Sequence, residues 1–153
     1  MNTPQEIYTV VKTELAALAG PLFERSEKLL RERGHFLPHA AVLSAEGKVA
    51  LVGAMCSSSS GKANPETILP MLYNGLRAMA HERPLLAIGV AESVTVNMED
   101  GSPTQAIKVH IEHSEGLTLA FFLPFLEATP GEFAFGASFS SFEPAEISAW
   151  QLD

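Results

Sequence analysis

The apolar positions at the start of the chain fall at helical spacing. Ile7, Val10, Val11, Leu15 and Leu18 share one helix face. Thr3-Pro4-Gln5-Glu6 reads as the helix start: Thr3 accepts from backbone N–H groups, Pro4 needs no N–H at the first position, and Glu6 completes a capping box. Gly20-Pro21 predicts a stop or a sharp kink. A second helix follows over roughly 22–33, with Leu22, Phe23, Leu29 and Leu30 toward the core and Gly34 as its end. Each helix keeps a polar face and is therefore expected on a surface.

The pattern then changes period. His35 to Ser44 and Lys48 to Ala54 are aliphatic, β-branched runs on either side of Ala45-Glu46-Gly47, the signature of a β-hairpin. Cys56 to Lys62 reads as a loop, and a third helix runs to about Ala80-His81. Capping that helix at Thr67 puts Pro70 at the third helical position, where it is tolerated. Ile68, Leu72, Leu76 and Met79 form its buried stripe, and Gly75 offers a close approach to the sheet. From Pro84 the runs are strand-like: Leu85 to Met98, as one long strand or two joined by a bend at Gly89, Ala106 to His113, Leu117 to Phe125, and a final strand carrying Phe133, Phe135 and Phe139. The third-helix side chains aside, the cleanest alternation is Ile107, Val109 and Ile111 against Lys108, His110 and Glu112. Glu143-Pro144-Ala145-Glu146 reads as the start of a short last helix that docks Trp150.

The expected order is α-α-β-β-α-β-β-β-β with a final short α. That is an α+β domain over residues 1–153, with a mostly antiparallel sheet of five or six strands, two N-terminal helices and one crossover helix. A hairpin, a crossover helix and a meander, over roughly Gln5 to Phe125, make the order similar to profilin-like and roadblock-like domains. The resemblance implies a binding, sensing or dimerising scaffold rather than an enzyme.

Charge sharpens this picture. The net charge is −8. Residues 1–83 hold nine Lys/Arg against eight Asp/Glu, whereas residues 84–153 hold Lys108 alone against ten acids. An acidic sheet repels phosphate backbones, so nucleic acid is not an expected partner. The basic cluster Arg25, Lys28, Arg31 and Arg33 is interleaved with Glu24, Glu27 and Glu32, the pattern of a solvated helix face. The longest apolar run, Leu117 to Leu126, contains Thr118 and Pro124 and is too short to span a bilayer. The opening residues have no basic, apolar-centred leader, and the single cysteine forms no internal disulfide; cytoplasmic residence is the expectation.

Candidate chemistry is sparse. Cys56-Ser-Ser-Ser-Ser-Gly61-Lys62-Ala63 sits between strand and helix like a phosphate loop, but that loop needs glycine where Cys56 stands and Ser or Thr where Ala63 stands. What survives is a small-anion site made by serines such as Ser60 together with Lys62 near a helix start. Cys56 itself, at a strand end ahead of a helix, is the candidate nucleophile of a thiol-dependent enzyme. His110 and His113, three apart on a strand, point to opposite faces and cannot share a metal. His110 and Glu112 share a face, and His39 on a neighbouring strand would complete a His/His/Glu patch. No cofactor motif, catalytic motif or assigned metal site emerges.

Phe133, Phe135, Phe139, Phe142 and Trp150 concentrate aromatics in a late segment poor in charge. A strand of this kind at a sheet edge must be covered, by intrachain packing against the helices, or paired. The leading expectation is therefore a non-enzymatic domain that works by association, as a homodimer through this edge or the helical face. The alternatives are a pocket between sheet and helices for a small molecule or metal, using His39, His110 and the 57–62 loop, and the Cys56-dependent enzyme. An unidentified protein partner fits the first reading and a small-molecule partner the second.

Overall fold

The computed structural model describes residues 3–52 and 65–150. Helix α1 is continuous over Pro4–Arg33, so the expected pair of N-terminal helices is one. Thr3 caps it, its hydroxyl oxygen accepting from the Glu6 N–H at 3.2 Å, and Gly34 closes it in the left-handed region at φ 79°. Pro21 removes one backbone bond, but the chain does not turn there. The physical reason is phase: Val11, Leu15, Leu18, Leu22, Ser26 and Leu30 are all buried on one stripe that runs through Gly20-Pro21 without a break.

Strands β1 (His39–Ser44) and β2 (Val49–Val52) form the expected hairpin around Gly47, which takes φ 87°. The Ser44 hydroxyl fixes the turn by accepting from the N–H groups of Glu46 and Lys48. Helix α2 spans Pro65–Glu82 and starts three residues earlier than a Thr67 cap would place it, with Pro65 in the first turn. Ile68, Leu72 and Leu76 form its buried stripe. Strands β3 (Leu85–Asn97), β4 (Pro103–His113) and β5 (Thr118–Thr129) make the meander, and β6 (Glu132–Phe135) and β7 (Phe139–Phe142) complete one antiparallel sheet. The described strands number seven rather than five or six, in the order β2-β1-β3-β4-β5-β6, with β7 also on β5.

The extra strand arises because the expected last strand divides. β6 pairs with Phe125–Thr129 and β7 with Leu119–Phe122, so the two lie in succession along the same edge of β5. Gly136 donates to the Pro124 carbonyl at 2.8 Å, which shows that Pro124 turns its backbone toward that edge. A strand residue's N–H and C=O point the same way, and proline has no N–H to give. The ladder therefore breaks opposite Pro124. The expected last helix is also absent: residues 143–150 form an irregular strap held by side chains of the sheet and α2.

Two helices cover opposite faces. α1 lies on Ala41, Leu43, Ala87, Ala91, Ile107, Val109, Ile111 and Leu119. α2 lies on Ala40, Val42, Ile88 and Val90, and the strap adds Ile147 and Ala149 to this second core. The close glycine is Gly89, not Gly75. A Cβ at Gly89 would stand 2.9 Å from Leu22 Cδ1, whereas one at Gly75 would meet nothing within 4 Å.

Candidate functional site

The alternation of β4 sends its odd positions to α1 and its even positions to the α2 side, as the period-two pattern requires. His110 and Glu112 therefore share the α2-side face. Glu112 is 3% exposed, and its carboxylate is the centre of the strap. Oε2 accepts from the N–H groups of Glu146 at 2.9 Å and Ile147 at 2.7 Å, and Oε1 accepts from Ser148 N–H at 2.8 Å. His110 Nε2 lies 2.8 Å from the same Oε2. A carboxylate only accepts, so this imidazole nitrogen carries the proton. Three successive amides converging on one anion form a backbone nest, and Ser148 enters the left-handed region at φ 58° to make it. Burial pushes the Glu112 carboxyl up, but the His110 bond and the Ile147 and Ser148 amides outweigh it and hold the group below its ordinary value.

α2 ties down the strap from the other side. Arg77 Nε donates to the Ile147 carbonyl at 2.6 Å, and the Tyr73 hydroxyl donates to Glu146 Oε2 at 3.0 Å. Burial, then that carboxylate, raises the Tyr73 phenol. Lys108 Nζ sits 3.5 Å from Glu143 Oε2, and burial raises Glu92 against the opposing pull of Lys108. The Arg77 and Tyr73 contacts join the strap to α2, and the Lys108 contact joins it to the sheet.

The structure separates the expected His/His/Glu patch. His39 pairs with Ala91, on the α1 side, so it lies on the opposite face from His110 and Glu112. His39 Nδ1 is 3.1 Å from the Leu37 carbonyl and Nε2 is 3.3 Å from Ser26 Oγ, while Phe36 meets its ring edge-on. Burial lowers its pKa. His113 also faces α1, where Nε2 meets Glu14 Oε1 at 2.7 Å. The two histidines of His-x-x-His thus point to opposite faces. Cys56, Ser60 and Lys62 lie outside the described residues. Among the described residues, no group of three or more His, Cys, Asp or Glu side chains is placed to hold a metal ion. Nor is any described helix long and apolar enough to cross a membrane.

The aromatic segment divides by exposure. Phe133 and Phe135 are half-buried against Phe125, Arg31 lies over the Phe135 ring at 5.4 Å, and Trp150 packs on the second core. Phe139 and Phe142 are 43% and 47% exposed on β7, although Phe139 stacks on Phe122 with ring centres 5.0 Å apart. All four residues of β7, Phe139-Ser-Ser-Phe142, are exposed and uncharged. Beside them is a hollow of about 190 Å³ lined by Gln5, Tyr8, Leu119, Ser140, Ser141 and Phe142. A second hollow of about 180 Å³ lies under the strap between Glu112, Thr118 and Trp150. Both are smaller than the roughly 300–1,000 Å³ typical of small-molecule pockets; a third hollow, of about 310 Å³ between Met98, Thr104, Phe125 and Phe135, lies at the lower end of that range.

Period-two alternation in the sequence pairs His110 with Glu112. It gives no sign of the three strap amides, because backbone donors leave no mark in residue identity. Compared with protein families, characterised proteins and solved structures, the chain matches none.

Proposed function

We propose that the protein works by association, as a cytoplasmic homodimeric binding module that meets its second copy at the β7 edge. The observation that carries this reading is β7 itself: four exposed, uncharged residues with two half-exposed phenylalanines on an edge strand of a seven-stranded sheet. A solitary edge of this composition is a pairing surface unless charge or a covering element blunts it. The hairpin–helix–meander order, which resembles that of profilin-like and roadblock-like domains, supports a scaffold role. Glu112 supports it from the other direction, since its carboxylate already accepts four hydrogen bonds, three that join β4 to the strap and one from His110 on the same strand. Size-exclusion chromatography with light scattering, with and without a chelator, tests the reading. A chelator-independent dimer at micromolar concentration is expected. A monodisperse monomer overturns the proposal, and a chelator-sensitive state replaces it with a metal-dependent one.

A further inference from the structure

The backbone of β7 restricts how two copies can meet. Glu143 N–H donates to the Thr118 carbonyl at 3.2 Å, and the register sets Ser141 against Ala120 and Phe139 against Phe122. Alternate residues of an antiparallel strand turn both backbone groups to the same neighbour. Residues 139, 141 and 143 therefore bond inward to β5, and the N–H and C=O groups of Ser140 and Phe142 face outward. These two positions are symmetric about Ser141. Laid antiparallel on a second copy with Ser141 at the two-fold axis, Ser140 pairs with the partner's Phe142 and Phe142 with the partner's Ser140. Both outward residues are then used on both strands, and a large side chain opposes a small one. Centring the contact on Phe142 instead opposes two rings, and centring it on Ser140 pairs Phe142 with a residue outside the strand.

The side chains fit the same register. Ser140 and Phe142 pair with Phe121 and Leu119, which belong to the α1-side core, so they project to that face. A ring opposite Ser140 on that face arrives at the hollow of about 190 Å³ between β7 and the first turns of α1. No Asp, Glu, Lys or Arg lines it. An apolar cavity of roughly 150 Å³ is enough to hold benzene, so the hollow admits one phenyl ring. Two copies of net charge −8 repel at long range, and this neutral strand and hollow form a contact with no charge to desolvate.

We infer that β7 pairs with its own copy about Ser141, and that each Phe142 fills the hollow beside Gln5, Tyr8 and Leu119 in the other copy. The inference rests on the association reading and specifies its register. The test combines sedimentation equilibrium with cysteine cross-linking in a Cys56→Ser background. Ser141→Cys places the two thiols in a non-hydrogen-bonded pair with Cα atoms roughly 4.5 Å apart, within disulfide range, and mild oxidation gives a covalent dimer. Ser140→Cys is offset from its own copy by two residues, beyond the roughly 7 Å limit for bridging, and stays uncrosslinked. Phe142→Ala, truncating an exposed ring, leaves the monomer folded and weakens the dimer about thirtyfold by removing two half-buried rings. A parent dimer that Phe142→Ala does not weaken and Ser141→Cys does not cross-link overturns this register while leaving association standing. A monomeric parent overturns both.

Discussion

Replacing Glu112 by glutamine keeps the side chain's size and removes its charge. The carboxylate makes four contacts between 2.7 and 2.9 Å, three of them from strap amides. The amide has one acceptor oxygen. Set in the place of Oε2, it keeps Glu146, Ile147 and His110, and its NH₂ then faces the Ser148 N–H, donor against donor. Stranding a partly buried N–H costs about 1–3 kcal/mol, and the other bonds lose their charge assistance, so the total is about 3 kcal/mol. Urea unfolding at neutral pH measures it, followed by far-UV circular dichroism and by Trp150, the sole tryptophan, which sits two residues beyond Ser148. The midpoint should fall, and Trp150 emission should shift to the red as the strap loosens. The sign with pH follows from the depressed folded pKa. The contribution is complete above the unfolded carboxyl value of about 4.3 and is lost as pH falls through the lower folded value. The difference between parent and Glu112→Gln should therefore shrink on acidification. A Glu112→Gln protein within about 0.5 kcal/mol of the parent, with unchanged Trp150 emission, refutes the clamp.

Three further substitutions probe the rest of the frame. Gly89→Ala drives a Cβ to 2.9 Å from the fully buried Leu22 Cδ1 and should destabilise by about 1–2 kcal/mol, whereas Gly75→Ala, with nothing near its Cβ, should stabilise by about 0.5–1 kcal/mol; paired denaturation curves check the opposite signs. Pro21→Ala restores a donor to the Ala17 carbonyl inside α1 and should stabilise by about 1–2 kcal/mol in thermal melts, less than the full helix penalty because proline also restricts the unfolded chain. Burial lowers the His39 pKa, so the unfolded chain binds the proton more readily and stability rises with pH just below the ordinary value of about 6.5. His39→Gln should flatten that part of the stability–pH curve, and an unaltered slope assigns it to another group.

Local periodicity made much of this architecture legible. The hairpin at Gly47, the Ile68/Leu72/Leu76 stripe and the β4 alternation all follow from rules acting within a few residues. The misreadings come from contacts beyond that range. Gly20-Pro21 is a breaker by propensity, yet Leu18 and Leu22 bury on the same stripe and their packing outweighs one lost backbone bond. Pro124 divides the last strand from across the sheet, through a bond it cannot make to β6 and β7. His39 and His110 are separated by register alone: the His39–Ala91 pairing fixes which face His39 takes. A shift of one residue would have reversed it.

The polar core residues join the layers in a consistent way. His39 reaches Ser26 and His113 reaches Glu14, both on α1, while His110 and Glu112 secure the strap beside α2. His39, His113 and Glu112 are buried polar groups that bridge the sheet to an element stacked on it, and His110 adds a bond along β4 to Glu112; each of these bonds would be costly to lose. A nucleophile or general base needs a free, reachable atom, and these side chains have their reachable atoms engaged; the His110 Nδ1 that has no partner among the described residues is itself buried. At β7 the situation is reversed. By the β5 register, Ser140 and Phe142 turn their backbone groups outward beside exposed rings, and an outward-facing edge of that kind is a surface for another strand, which is the ground of the association proposal.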